Sequence, residues 1–196
     1  MSSPMATRNR HRLHAAAVAL ALVASLLGPN AVAQGKSRGP GYVDGSQFLD
    51  LVGDESVVVE VSLGKAILRP IVNGDPDLKR LAGGLESIYT LILDLSDPEI
   101  AERVRDEVRK TERRLTSKGW ERIARIQDEG AQIKILVLLN EDEETISGLV
   151  VMVLDTDDDE PGLVFANVAG VIDLAALEEL GEAFDVPGLG DFDLDE

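Results

Sequence analysis

Four acids, Asp155, Asp157, Asp159 and Glu160, fall at the spacing that opens a calcium-binding loop. Hard cations take oxygen ligands, and a loop of alternating carboxylates supplies them. The helix–loop–helix form of that site also needs glycine at the sixth loop position and glutamate at the twelfth. Here those positions hold Glu160 and Ala166. That form fails, and a looser site on Asp155, Asp157 and Asp159 is all that remains of the metal reading. A solvated hairpin turn between two strands explains the same residues more simply. The run from Glu141 to Glu144 reads the same way.

Other chemistries are thinner. Ser62-Leu63-Gly64-Lys65 has the S-x-x-K spacing of serine–lysine acyl enzymes, which works when the serine opens a helix. Ser62 instead ends a strand pattern, and the chain has no K-T-G or S-D-N triplet, so the match reads as chance. Paired carboxylates can hydrolyse glycosides without His or Cys. With 36 acids, some pairs arise by accident, and four Phe, two Tyr and one Trp give few platforms for sugar rings. Arg105, Arg109 and Arg113 recur every four residues on a helical pattern. Such a basic line in an acidic chain could dock an acidic partner or the chain's own acidic tail. The plainer account is snorkelling beside an apolar stripe, with helical ion pairs such as Glu102-Asp106-Lys110 and Arg103-Glu107. Nothing in these patterns calls for a cofactor.

The N-terminus narrows the setting. Arg8, Arg10 and Arg12 precede an apolar stretch from Ala15 to Leu27, then a Gly28-Pro29-Asn30 break and Ala31-Val32-Ala33. This is the pattern of a secretory signal peptide, residues 1–33, cut between Ala33 and Gln34. Both histidines, His11 and His14, lie inside it, and the chain has no cysteine. The exported chain thus lacks both residues, and with them most catalytic vocabulary. Its 163 residues carry 16 bases against 36 acids, a formal charge of −20. Such a surface repels nucleic-acid phosphates and anionic membranes and attracts cations or basic faces. No later segment reaches the roughly 18 consecutive apolar residues of a membrane span, so the expected setting is soluble, in the periplasm or outside the cell.

The elements that must position any site follow from periodicity. Residues 34–41 read as a flexible leader, 42–184 as one domain, and 185–196 as an acidic disordered tail. A short helix is expected over Ser46–Val52. Strands are expected over Val57–Leu63 and Leu85–Leu95. Lys65–Val72 stays ambiguous because Pro70 opposes a regular helix. Asp75 or Asp77 caps a short helix reaching Leu81. The clearest element is a helix from about Pro98 to Lys118, opened by Ser96-Asp97-Pro98-Glu99 and closed by Gly119, with Ile100, Val104, Val108, Thr111 and Leu115 as its stripe. Four strands follow over Trp120–Gln127, Gln132–Leu139, Thr145–Asp155 and Leu163–Val171. A last helix, Leu174–Phe184, is capped by Asp173. Gly170 is expected to turn the chain from the last strand into that cap, and Trp120 to anchor the core. The order predicts an α+β fold: a largely antiparallel sheet of about five to six strands, helices packed on one face, and a C-terminal four-strand meander followed by a helix.

Several strands are apolar on both faces. Ile133, Ile135, Val137 and Leu139 alternate with Leu136 and Leu138; Ile146, Val150, Met152 and Leu154 alternate with Leu149, Val151 and Val153. The second face must be covered by the chain itself or by another subunit.

The chain resembles a bacterial family known as domain of unknown function 4252. The resemblance spans about Gly41 to Leu180. It rests on the Val57–Leu63 strand, Leu81-Ala82-Gly83-Gly84-Leu85-Glu86-Ser87-Ile88, and Gly119-Trp120-Glu121. Thr145-Ile146-Ser147-Gly148-Leu149-Val150-Val151 and Asn167-Val168-Ala169-Gly170-Val171-Ile172-Asp173-Leu174 complete it. It implies a small exported or lipid-anchored envelope protein, with a link to envelope signalling, and brings no catalytic residues. Without a cysteine this chain has nothing to lipidate. The expectation is a non-enzymatic exported domain that binds an unidentified protein or forms a homo-oligomer. The alternatives are a calcium-binding module and a carboxylate-based hydrolase.

Overall fold

The computed structural model describes residues 39–73, 83–128, 130–142, 144–156 and 161–173. A helical turn α1 (Ser46–Leu49) and a 3-10 turn (Asp54–Ser56) lead into β1 (Val57–Gly64). Then come α2 (Lys65–Asn73), β2 (Leu85–Asp94), α3 (Pro98–Thr116), β3 (Glu121–Asp128), β4 (Ala131–Leu139), β5 (Thr145–Asp155) and β6 (Gly162–Asp173). The strands form one sheet in the order β1-β2-β6-β5-β4-β3, with every neighbouring pair antiparallel. The predicted meander is β3 to β6. The predicted signal peptide, the cap at Asp75 or Asp77, the helix 174–184 and the tail 185–196 lie outside the described residues.

The topology explains the long helix. β2 and β3 are four strand positions apart, about 19 Å at ordinary strand spacing. A helix of 19 residues rises about 28 Å, enough to carry the chain obliquely across one face. Its start is fixed by Asp97, whose side chain accepts from the backbone N–H of Glu99 at 2.8 Å and of Ile100 at 3.3 Å, and Pro98 follows. Its end is a Schellman turn: Trp120 N–H donates to the Leu115 carbonyl and Gly119 N–H to the Thr116 carbonyl, both at 3.1 Å. Gly119 takes φ +90°, a backbone state costly for any residue with a Cβ. Leu115 and Trp120, the two hydrophobic residues flanking that turn, both lie in the core beneath the helix.

Strand alternation sorts the sheet into two faces. On the α3 face, Tyr89, Leu91, Leu93, Leu163, Phe165, Val150, Met152, Leu154 and Leu136 pack with Val104, Val108, Leu115 and Trp120. Phe48 of α1 is fully buried there, its ring 5.3 Å from that of Phe165. Asn167 is the polar fastener of this layer. It accepts from Val43 N–H at 2.9 Å and donates to the carbonyls of Gly41 at 3.0 Å and Leu149 at 3.1 Å. That ties residues 41–43 to the centre of the sheet. The opposite face carries Leu63, Ile88, Ala124, Ile135, Val137, Ile146, Leu149 and Ile172, joined by Leu68 and Ile67 of α2. Helix therefore packs against both faces, not one.

Two further expectations are corrected. Pro70 sits inside α2 rather than preventing it. A proline in a helix costs roughly 3 kcal/mol, and burial of a leucine such as Leu68, only 1% exposed, contributes about 1.5–3 kcal/mol in return. Gly170 is not the turn after β6, which runs on to Asp173. It marks an irregularity where β2 begins: its φ is +137°, and a Cβ there would lie 2.5 Å from the Gly84 carbonyl oxygen and 2.7 Å from the Glu86 nitrogen. The glycine admits a close backbone approach.

Candidate site: an arginine groove at the sheet edge

Register lines up residues across the α3 face in rows. One row runs Leu91, Phe165, Met152, Lys134, Arg125. The next runs Leu93, Leu163, Leu154, Gln132, Gln127. Each row is apolar over β2, β6 and β5 and turns polar at β4 and β3. The helix above is divided the same way. Its stripe of Val104, Val108, Thr111 and Leu115 is buried, while Arg109 and Arg113 stand exposed. Between the helix and the polar ends of the rows lies a groove of about 480 Å³. It is lined by Arg105, Arg109, Glu112 and Arg113 from α3, Arg125 and Gln127 from β3, and Gln132 and Lys134 from β4. Thr156 closes one end by bonding to the Gly130 carbonyl through its N–H at 3.2 Å and its hydroxyl at 3.0 Å.

A three-membered ion network organises the floor. Glu112 accepts from Lys134 Nζ and from Arg122 Nη1, each at 2.6 Å. Lys134 is 3% exposed, so its charge persists in the interior only because the carboxylate meets it. Partial burial raises the carboxyl pKa of Glu112. The hydrogen bonds and charges of Lys134 and Arg122 outweigh that, and the group sits below the ordinary carboxylate range.

The three arginines of the sequence pattern all reach this groove, and their surroundings differ from the expected ion pairs. Arg109 pairs with Asp106, and Lys110 with Glu107 at 3.5 Å. Arg103 donates to the Leu51 carbonyl at 3.2 Å instead of pairing with Glu107. Arg105, Arg113 and Arg125 have no ion-pair partner among the described residues. Arg125, Gln127, Gln132 and Lys134 were missed from sequence. The available signal was Lys134 itself, a lone charge inside the apolar run Ile133–Leu139.

The other candidates stay apart. Asp155 ends β5, and Asp157 and Asp159 lie outside the described residues. Among the described residues no cluster of three His, Cys, Asp or Glu is placed to hold a metal. Ala33 and Gln34 are likewise outside them. Ser62 lies in β1, and Lys65 Nζ sits 3.4 Å from Glu86 Oε1. Of the Glu141–Glu144 run, Glu141 and Asp142 lie in a turn after β4, and Glu143 lies outside the described residues. Asp142 accepts from the N–H of Thr145 at 3.0 Å and from its hydroxyl at 2.9 Å, which holds its carboxyl below the usual range. Tyr89 donates to Glu60 at 3.1 Å, and burial with that carboxylate beside it pushes the phenol well above its ordinary pKa. No described helix is long and apolar enough to cross a membrane.

No curated protein and no solved structure is detectably similar to the chain. The profile of one family, described as domain of unknown function DUF4252, matches residues 52–180, which include the six described strands and the arginine groove. The chain belongs to that family.

Proposed function

We propose that this is a non-catalytic domain that holds an acidic segment of a partner protein in the arginine groove. The observation that carries the reading is the convergence of Arg105, Arg109, Arg113 and Arg125 on one groove, in a chain with 36 acids and 19 bases. Guanidinium groups present forked donors that match carboxylates two bonds at a time. The remaining surface repels an acidic partner, so only docking in register with the groove is rewarded, and attraction and specificity come from the same place. One carboxylate, Glu112, lines the groove and is already held by two cations. Glycoside hydrolysis by paired carboxylates needs two. The groove rather than the second sheet face carries the reading, since Ile135, Val137, Ile146 and Leu149 of that face are buried within one chain. The reading places the domain outside the cytoplasm, on the strength of the Arg8–Arg12 and Ala15–Leu27 pattern and the Ala33–Gln34 junction. The chain recovered from the envelope should begin at Gln34, and a recovered chain still starting at Met1 would remove that part.

The test of the groove is a titration with a fluorescent peptide of twelve alternating Asp and Glu residues at low salt. Charge-assisted hydrogen bonds contribute roughly 1.5–3 kcal/mol each. The substitutions Arg109→Ala, Arg113→Ala and Arg125→Ala should each weaken binding about tenfold. Thermal stability should stay the same, since all three side chains are exposed. Equal binding by the wild type and the triple variant would sink the proposal.

A further inference from the structure

We infer that the groove is filled in the resting chain by the chain's own acidic segment 185–196, which an acidic partner must displace. This rests on the groove reading above. Segment 185–196 holds Asp185, Asp191, Asp193, Asp195 and Glu196 and no base. It carries the charge that Arg105, Arg113 and Arg125 lack among the described residues.

Geometry allows the reach. Asp173, the last residue of β6, pairs with Thr145 at the start of β5, whereas the groove lies by Leu154 and Thr156 at the far end of β5. Nine strand steps separate Thr145 from Leu154, about 30 Å. Eleven residues, 174–184, lead to Asp185. As the predicted helix they would rise about 17 Å. The twelve tail residues extend up to about 40 Å. Tethering makes the contact effectively unimolecular. A flexible link sets an effective concentration of about 1 mM. A segment with an intrinsic Kd near 0.1 mM would then fill the groove about nine-tenths of the time. Binding of any acidic partner added from outside would weaken about tenfold.

The experiment uses the full chain and a labelled synthetic peptide of residues 185–196 as the probe. A variant with Asp185→Asn, Asp191→Asn, Asp193→Asn, Asp195→Asn and Glu196→Gln frees the groove. It should bind the probe about tenfold more tightly than the wild type, and adding Arg109→Ala and Arg113→Ala should abolish the gain. A control removes the same charge at exposed acids that do not line the groove: Asp50→Asn, Asp54→Asn, Glu55→Gln, Glu99→Gln and Glu141→Gln. An equal gain in the control would make the effect one of net charge and overturn the inference. Arginine-dependent binding of equal strength in wild type and tail variant would overturn it too, while leaving the groove as an acidic-segment site. No binding by any variant would remove both.

Discussion

Strands β3 and β4 present two unlike faces built from alternating residues. On one face, Arg125, Gln127, Gln132 and Lys134 look into the groove. On the other, Ala124, Ile133, Ile135 and Val137 belong to an apolar cluster. Lys134 and Ile135 are adjacent in the chain and nearly equally buried, 3% and 1% exposed, yet one is charged and one is not. Burial alone does not decide which side chain a site accepts. What decides it is whether a carboxylate stands opposite, and on the α3 side Glu112 supplies one.

The sharpest way to break this comparison is to exchange the two chemistries. Ile135→Lys places an ammonium among the apolar side chains of Ile146, Leu149 and Val137, on the face opposite the Glu112 network. Unpaired buried charge is among the few single changes that exceed about 4 kcal/mol. In a domain of ordinary stability, about 5–15 kcal/mol, that removes between about a quarter and most of the margin. Lys134→Ile should cost less, about 1–2 kcal/mol, because Glu112 is partly exposed and keeps Arg122 as its counter-charge. Urea denaturation of both variants checks this. Equal losses would show that the two faces are not energetically distinct.

The next effect comes from the acid itself. Glu112→Gln leaves Lys134 buried without its counter-charge. The expected loss is about 3 kcal/mol, the lower end for breaking a buried pair, since Glu112 is itself partly exposed. The pH dependence carries a sign. The folded pKa of Glu112 is depressed, so its contribution is fully present above the unfolded carboxylate value, near 4.3. It is lost as pH falls through the lower folded value. Denaturation of the wild type and Glu112→Gln at neutral pH and in acid should therefore show the gap between them narrowing as pH falls. A gap independent of pH would mean that the carboxylate's charge does not hold Lys134.

Much of this architecture was legible because its signals are local. The Asp97-Pro98 cap, the 3.6-residue stripe of α3 and the Gly119 ending each need only neighbouring residues, and each is where the sequence places it. The α2 helix was illegible because Pro70 is a strong local breaker, and burial of Leu68 against a strand is not visible from within the helix. The groove was half legible. Arg105, Arg109 and Arg113 share a helical face, and periodicity shows that. Arg125 and Lys134 join them only through a strand order that returns β3 and β4 beneath the end of α3, and that order is set by long-range pairing. The paired helical ions failed for a similar reason, since Arg103 found a carbonyl at Leu51, far away in the chain.

The smallest expected effect tests the apolar face for an imperfection. Its central row runs Val61, Thr90, Ala166, Val151, Ile135, Ala124 across all six strands. Thr90 is 1% exposed, and its hydroxyl has no hydrogen-bond partner among the described residues. A buried hydroxyl without a partner costs about 1–3 kcal/mol. Valine has nearly the same shape and the same χ1 stiffness, so Thr90→Val removes that penalty without opening a cavity. The variant should gain about 1 kcal/mol in urea denaturation with an unchanged slope. The same-shape replacement has no such gain to offer at Asn167, whose side chain makes three bonds to residues 41, 43 and 149. A loss of stability in Thr90→Val would mean that the hydroxyl is satisfied after all, and that the second face, like the first, is built around a polar contact.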